Sequence, residues 1–476
     1  MFSSLLKKAN TCPNFDINAT SNYDGMSLLH LASLSGSTLL VKALEKYDIN
    51  CTLTIDGKSP VHCATSSGST SVLSYILFQY NLNANDADTD GRIPLTGCCR
   101  SGSINSVKYL INNHNSDPNI TDDFDELITT YQLDPHQADS NGNLPIHYAA
   151  QTACQSGRQN MVSLLLKASL SNNNLLITNK KGQTPLHLAV ASGHKDTAEA
   201  LLFSVTGSST HHDLLTATDN EGSTVLHTAC INGHINVFRY LSSIYPQSVN
   251  VLDNRGRGLL HAACEGGDIG IVRTLIETHG LDALAEDKDG ITCLHLLAER
   301  KRVYIYQYLE PNIVSNPVPK DKSGRTPLHY ASRSDNIRMV RYLIETFPCT
   351  PDDPDNNGYT SVHRACEAGS MELVQYFLTD LKCNALAETD ERKTMLYFAS
   401  KSSNLELVLF LIDVFSLKPR PHDIEIAQSV SPDSSVVKYL QEIHYDLFLL
   451  EQSKVSGYHE KLEGQQVDPP GQNIVS

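Results

Sequence analysis

The sequence predicts an all-α solenoid of about eleven stacked helix-turn-helix units with hairpin loops between them. Three observations lead there: a hexapeptide that recurs along the chain, a constant interval between its copies, and an apolar stretch of helical period after each copy. The hexapeptide is a Gly, two residues, a small residue or Pro, a Leu or similar, and a His. Its clearest copies are Gly182-Gln183-Thr184-Pro185-Leu186-His187 and Gly324-Arg325-Thr326-Pro327-Leu328-His329.

The His falls at His30, His62, His147, His187, His227, His261, His295, His329 and His363, and Thr96 and Tyr397 fill the same slot in two further copies. From His227 to Tyr397 the interval is 34 residues every time. After each slot come small residues, a polar break often written Gly-His, and an i, i+3, i+4 apolar set such as Val340, Leu343 and Ile344. That order reads as a helix, a short turn and a second, amphipathic helix. Asp and Asn beside the Gly supply the chemistry that reverses the chain between copies. No copy can bury its apolar face alone, so neighbours must cover one another.

These residues resemble the ankyrin repeat, whose pattern runs Asp-x-x-Gly-x-Thr-Pro-Leu-His-x-Ala and then Gly-His. The likeness extends over about residues 23–420. It implies L-shaped units of two antiparallel helices and a hairpin, and a partner-binding face formed by hairpin tips and first helices. It also implies that the recurrent imidazoles bridge the start of the first helix to adjacent backbone. Recurrence itself argues against metal or general-base work, because a catalytic constellation needs a few converging groups, not one group per unit.

The reading divides the chain into an N-terminal capping half-repeat at 1–22, repeats 1–3 at 23–120, an insertion or degenerate repeat at 121–138, and repeats 4–11 at 139–420. A degenerate capping repeat at 421–450 and a disordered tail at 451–476 close it. Residues 3–9 read as a lone outer helix and 424–443 as a worn final copy. The intervals of 40 residues into His187 and His227 place extra residues at 151–160 and 204–212, the second crowded with Ser, Thr and Gly and read as an exposed loop holding His211, His212 and Asp213. Arg392 stands where other copies have Gly, so its hairpin is expected to be less tight, since Arg does not readily take a positive φ.

Composition narrows the function. With 37 Lys and Arg against 53 Asp and Glu, a formal net charge of −16 argues against nucleic acid as partner. The most apolar window, 405–415, is too short and too charged to insert in a membrane. Four of the twelve cysteines, Cys99, Cys230, Cys264 and Cys366, lie three residues after the slot, which suits buried, reduced thiols and a cytoplasmic or nuclear setting. No phosphate-binding glycine loop and no nucleophile elbow occurs, so no catalytic residue, cofactor or metal is expected.

The function expected is therefore a scaffold or adaptor, or alternatively a regulatory subunit that sequesters an enzyme or transcription factor. The resemblance puts the variable binding positions at fixed offsets from the His, which selects Arg255, Arg257, Lys288, Arg300, Lys322, Arg325, Arg333 and Tyr359. Cations on one face of an acidic chain suggest a protein partner with an acidic or phosphorylated segment. Converting Arg257, Arg325 and Arg333 together to Glu is expected to abolish its capture and leave the melt nearly unchanged.

Overall fold

The computed structural model describes residues 18–20, 24–47, 49, 51, 54, 56–112, 136–152, 162, 165, 175–204, 208–312 and 318–445. The expected half-repeat at 1–22, the insertion at 121–138 and the tail at 451–476 fall wholly or largely outside them. Two compact units divide the chain, residues 1–281 and 282–476. The described residues form helices and no strand, with isolated bridges only at Thr218–Thr224 and Glu388–Thr394.

In the first unit the inner helices Leu28–Leu34, Pro60–Ser67, Pro94–Ser101, Pro145–Thr152, Pro185–Ala191, Val225–Ile231 and Leu259–Gly266 each pack on the next. In the second unit Cys293–Glu299, Pro327–Arg333, Ser361–Glu367, Met395–Ser402 and Pro421–Val430 do the same. An outer helix follows most inner ones, for example Ile235–Ile244 in the first unit and Ile337–Thr346 in the second.

The division of labour follows from side-chain pattern. Pro327–Arg333 is only 7 residues long, too short to persist alone. It buries Pro327, Leu328, His329, Tyr330, Ala331 and Ser332, nearly its whole circumference, because a neighbour lies on each side. Its Pro sits in the first turn, where a missing N–H costs nothing. Ile337–Thr346 buries one stripe, Met339, Val340 and Leu343, and turns Arg338 and Arg341 to solvent. Cys99, Cys230, Cys264 and Cys366 are fully buried, and no cysteine among the described residues is in a disulfide. Burial pushes Cys99 up to about 12, so it behaves as a small hydrophobe.

Two local expectations need correction. Residues 208–216 form a helix, Ser208–Thr216, not a loop. Leu214 and Leu215 anchor it by burial, the His211 ring bonds the Leu202 carbonyl, and the His212 ring meets Tyr245 edge-on at 5.1 Å. Arg392 takes φ +58°, close to the +77° of Gly324, and its N–H reaches the Thr389 carbonyl at 2.8 Å just as Gly324 reaches Asp321. The hydrogen bonds on either side of the turn hold it tight, so the left-handed conformation is accepted at a cost of about 1–2 kcal/mol.

Candidate functional site

The hairpin tips and the ends of the inner helices make up the candidate face, and the recurrent residues are what position it. In copy nine the Thr326 N–H and hydroxyl both point at His329 Nδ1, at 3.2 and 2.9 Å. A ring nitrogen that accepts the backbone N–H is unprotonated, so Nε2 carries the hydrogen and donates to the Tyr359 carbonyl of the next copy at 3.0 Å. The same bridge joins His30 to Lys58, His62 to Arg92, His147 to Gln183, His187 to Ser223, His227 to Arg257 and His295 to Arg325. Burial drives these imidazoles below their usual range, His295 and His363 to about 4. The ring is thus a neutral strut between copies. Among the described residues no group of His, Cys, Asp and Glu could hold a metal.

The hairpin itself is organised by a carboxylate. Asp321 Oδ1 accepts the N–H groups of Ser323 and Arg325 at 2.9 and 2.8 Å, while Oδ2 takes the Arg325 guanidinium at 2.6 Å and the Tyr330 hydroxyl at 2.9 Å. Burial alone would raise this carboxyl, yet the Arg325 N–H, the Tyr330 hydroxyl and the guanidinium hold it below its ordinary value. Asp88 with Arg92 and Asp253 with Arg257 repeat the arrangement, and in copy ten Arg364 reaches Asp355 from the helix. Successive tips are then tied by backbone: Lys322 N–H to the Asp289 carbonyl, Asn356 to Ser323, and Asp390 to Asn357. The face is rigid because both backbone and side chains fix it.

The sequence reading placed this Asp, three residues before the Gly in most copies, in the repeat pattern as part of the turn, but not its role as a clamp on Arg and Tyr side chains. Its signal was available, since Asp88, Asp139, Asp219, Asp253, Asp287, Asp321 and Asp355 all keep that offset.

The predicted binding residues separate into two sets. Arg257 is held by Asp253 at 2.9 Å and Glu265 at 3.2 Å, and Arg325 by Asp321, with its guanidinium 5.2 Å above the Tyr330 ring. Tyr359 is half-buried, with Arg364 stacked 4.1 Å over its ring and Phe398 5.2 Å away. These three brace hairpins, so a Glu at Arg257 and Arg325 would cost stability, contrary to the expectation of an unchanged melt. Lys288, Arg300, Lys322 and Arg333 are exposed. Lys322 Nζ rests on the Lys288 carbonyl at 2.5 Å, and Arg333 meets Glu299 at 3.7 Å. Arg255, in the first unit, is 63% exposed and lies 3.9 Å from Glu221.

A family model for ankyrin repeats matches residues 3–86, 29–122, 124–212, 208–287, 267–353 and 347–420, nearly the whole length to residue 420. The chain belongs to the ankyrin-repeat family. No curated protein matches it. Ankyrin repeats generally mediate protein–protein interactions, and no other domain was found along this chain. Among the described residues no helix is long and apolar enough to cross a membrane.

Proposed function

We propose that the chain is a scaffold or adaptor that docks a protein partner on the face made by its hairpin tips and inner-helix ends. The observation that carries this reading is the continuous tying of tip to tip: the 322–289, 356–323 and 390–357 backbone bonds hold side chains at set positions before any partner arrives. A face ordered in advance loses little entropy on binding, so its contacts convert to affinity efficiently. Among the described residues nothing at this face converges on a reacting atom; both ring nitrogens of His30, His62, His147, His187, His227, His295, His329 and His363 are engaged by backbone or hydroxyl partners, and the reading is therefore one of binding without catalysis or cofactor. The free thiols at repeat positions support a reducing compartment, the cytoplasm or nucleus.

The test is affinity capture with the full chain, comparing wild type with a variant that blocks the tips sterically, Ser323→Trp with Asn357→Trp. Ser323 and Asn357 bond through their own backbone groups and not their side chains, so the fold should persist in the variant's melt. Partners retained equally by both proteins would place docking elsewhere and sink the proposal.

A further inference from the structure

Away from the hairpin tips, a cavity of about 710 Å³ opens between the outer helices Lys195–Phe203 and Ile235–Ile244 of copies five and six, in the first unit. We infer that it binds a small phosphorylated polyol of the sugar-phosphate class, with the phosphate at Thr197, Lys195 and Arg239 and the hydroxyls at Asp196 and Asn236. No hairpin-tip residue lines the cavity, so this site is independent of the docking face proposed above.

The phosphate end follows from donors that the fold leaves over. Copies five and six enter their outer helices through Gly-His, and the His194 and His234 rings bond the Gln151 and Ala191 carbonyls at 3.1 and 2.9 Å. Neither His gives its helix a side-chain cap. Ser69, Asp268, Asn336, Ser370 and Asn404 do so in other copies, each accepting the N–H of the third helical residue. In Lys195–Phe203 that residue is Thr197, which lines the cavity, is 1% exposed, and has a hydroxyl without a hydrogen-bond partner among the described residues. An enclosed donor of this kind is costly until something accepts from it. An oxyanion accepts from the hydroxyl and the first-turn N–H groups together, and the positive end of the 9-residue helix favours its charge.

Side chains complete that end. Arg239 is exposed and lines the cavity with no ionic or hydrogen-bond partner among the described residues. Its planar fork matches phosphate oxygens. Lys195 Nζ stands 5.2 Å over the Tyr240 ring, which keeps a second cation on the same wall.

The acids decide which anion enters. Asp196 also lines the cavity, and burial and then Glu199 hold the Tyr240 hydroxyl above its ordinary value. Two carboxylates against two cations leave no excess charge to draw in a purely acidic segment. A carboxylate is an acceptor only, however, and polyol hydroxyls are the donors it takes. Asn236, exposed and with its amide unpartnered among the described residues, offers both a donor and an acceptor to the same hydroxyls. The volume lies within the range of about 300–1,000 Å³ usual for small-molecule sites.

Isothermal titration calorimetry on the full chain tests it with glucose 6-phosphate, inorganic phosphate and glucose. Glucose 6-phosphate should bind at least about tenfold more tightly than either of the others, because only it engages both ends. Arg239→Ala should weaken it by at least about tenfold without moving the melt, since the side chain is exposed. Thr197→Val should weaken it too while the melt holds or rises, because the hydroxyl removed has no partner in the fold. Asp196→Asn should bring the affinities for glucose 6-phosphate and inorganic phosphate closer together. Failure of glucose 6-phosphate to bind at millimolar concentration, equal affinity for inorganic phosphate, or an Arg239→Ala protein that binds as wild type does overturns the inference. So does a Thr197→Val melt that falls with binding intact, which makes the hydroxyl part of the framework. Tighter binding of a phosphoserine peptide or of anionic-lipid vesicles than of glucose 6-phosphate assigns the cavity to a macromolecule and overturns it as well.

Discussion

The hairpins of copies nine and eleven lie in the same unit, follow the same 34-residue interval, and differ in what fills their organising positions. Copy nine has Asp321 and Gly324; copy eleven has Thr389 and Arg392. Asp321 takes two backbone N–H groups, an arginine and a tyrosine, whereas the Thr389 hydroxyl takes only the Lys393 N–H, at 3.2 Å. The preceding imidazole registers the change. His295 bonds the Arg325 carbonyl, 30 residues on, but His363 bonds the Ala387 carbonyl, 24 on. The turn itself survives in both, with Gly324 at φ +77° and Arg392 at +58°. Backbone closure of the hairpin and its backbone bond to the neighbouring tip thus tolerate a poor sequence, while the side-chain clamp and the imidazole bridge do not.

The largest expected effect is acid loosening of the copies that carry the imidazole. A depressed folded pKa means that the unfolded chain binds the proton more readily, so stability present above about pH 6.5 drains away as pH falls toward 4. Each such ring adds about 1.4 kcal/mol of loss per pH unit, on the order of 6 kcal/mol for His295 and His363 together. Denaturant midpoints at pH 7 and 4.5, with hydrogen exchange resolved by copy, check it. Protection should fall first in copies eight to ten; uniform loss including the Tyr397 copy would remove the imidazole struts as the cause.

Next in size is the clamp. Asp321→Ala strands Arg325 and the Tyr330 hydroxyl and frees two hairpin N–H groups, which should cost about 3–5 kcal/mol. The corresponding Thr389→Ala should cost no more than about 1 kcal/mol, since it removes one long bond. Equal losses in a pair of urea melts would erase the distinction between the two hairpins.

How much of this was legible beforehand depends on whether a residue repeats. His329, Pro327 and the 34-residue interval are written many times, and repetition separates signal from noise; the inner helices follow from them. The helix at Ser208–Thr216 was hidden because its Ser, Thr and Gly neighbours read as a loop, while the burial of Leu214 and Leu215 that stabilises it is a tertiary fact. Arg392 misled for the same reason: propensity disfavours its φ, and bonds from both sides of the turn overrule propensity. At the candidate face, residue type and offset marked Arg257, Arg325, Lys288 and Lys322 alike. Only the carboxylate across the hairpin reveals that the first two are braces, because the Asp lies four residues away and its side-chain direction is not encoded in the offset.

A smaller effect of opposite sign comes from relieving the worn hairpin. Arg392→Gly should stabilise the chain by about 1 kcal/mol, because Gly accepts the left-handed turn without strain and the entropy it adds to the unfolded chain offsets part of the gain. A thermal melt that moves downward would mean that Arg392 contributes through its side chain, as its carbonyl already does by accepting the Arg420 guanidinium at 3.1 Å.

The smallest effect separates bracing cations from exposed ones. Lys288→Glu and Arg333→Glu remove charges that solvent already screens, so each should shift stability by no more than about 0.5 kcal/mol. Arg325→Glu, by contrast, puts a second acid against a carboxylate that is 0% exposed and should destabilise by several kcal/mol, about the size of the Asp321→Ala loss. The contrast matters because a binding defect in the Arg325 variant would be uninterpretable, whereas one in the Lys288 or Arg333 variants would report on the face alone. Parallel urea titrations of the three proteins decide it, and a Lys288→Glu loss as large as that of Arg325→Glu would show that the exposed tip is also part of the framework.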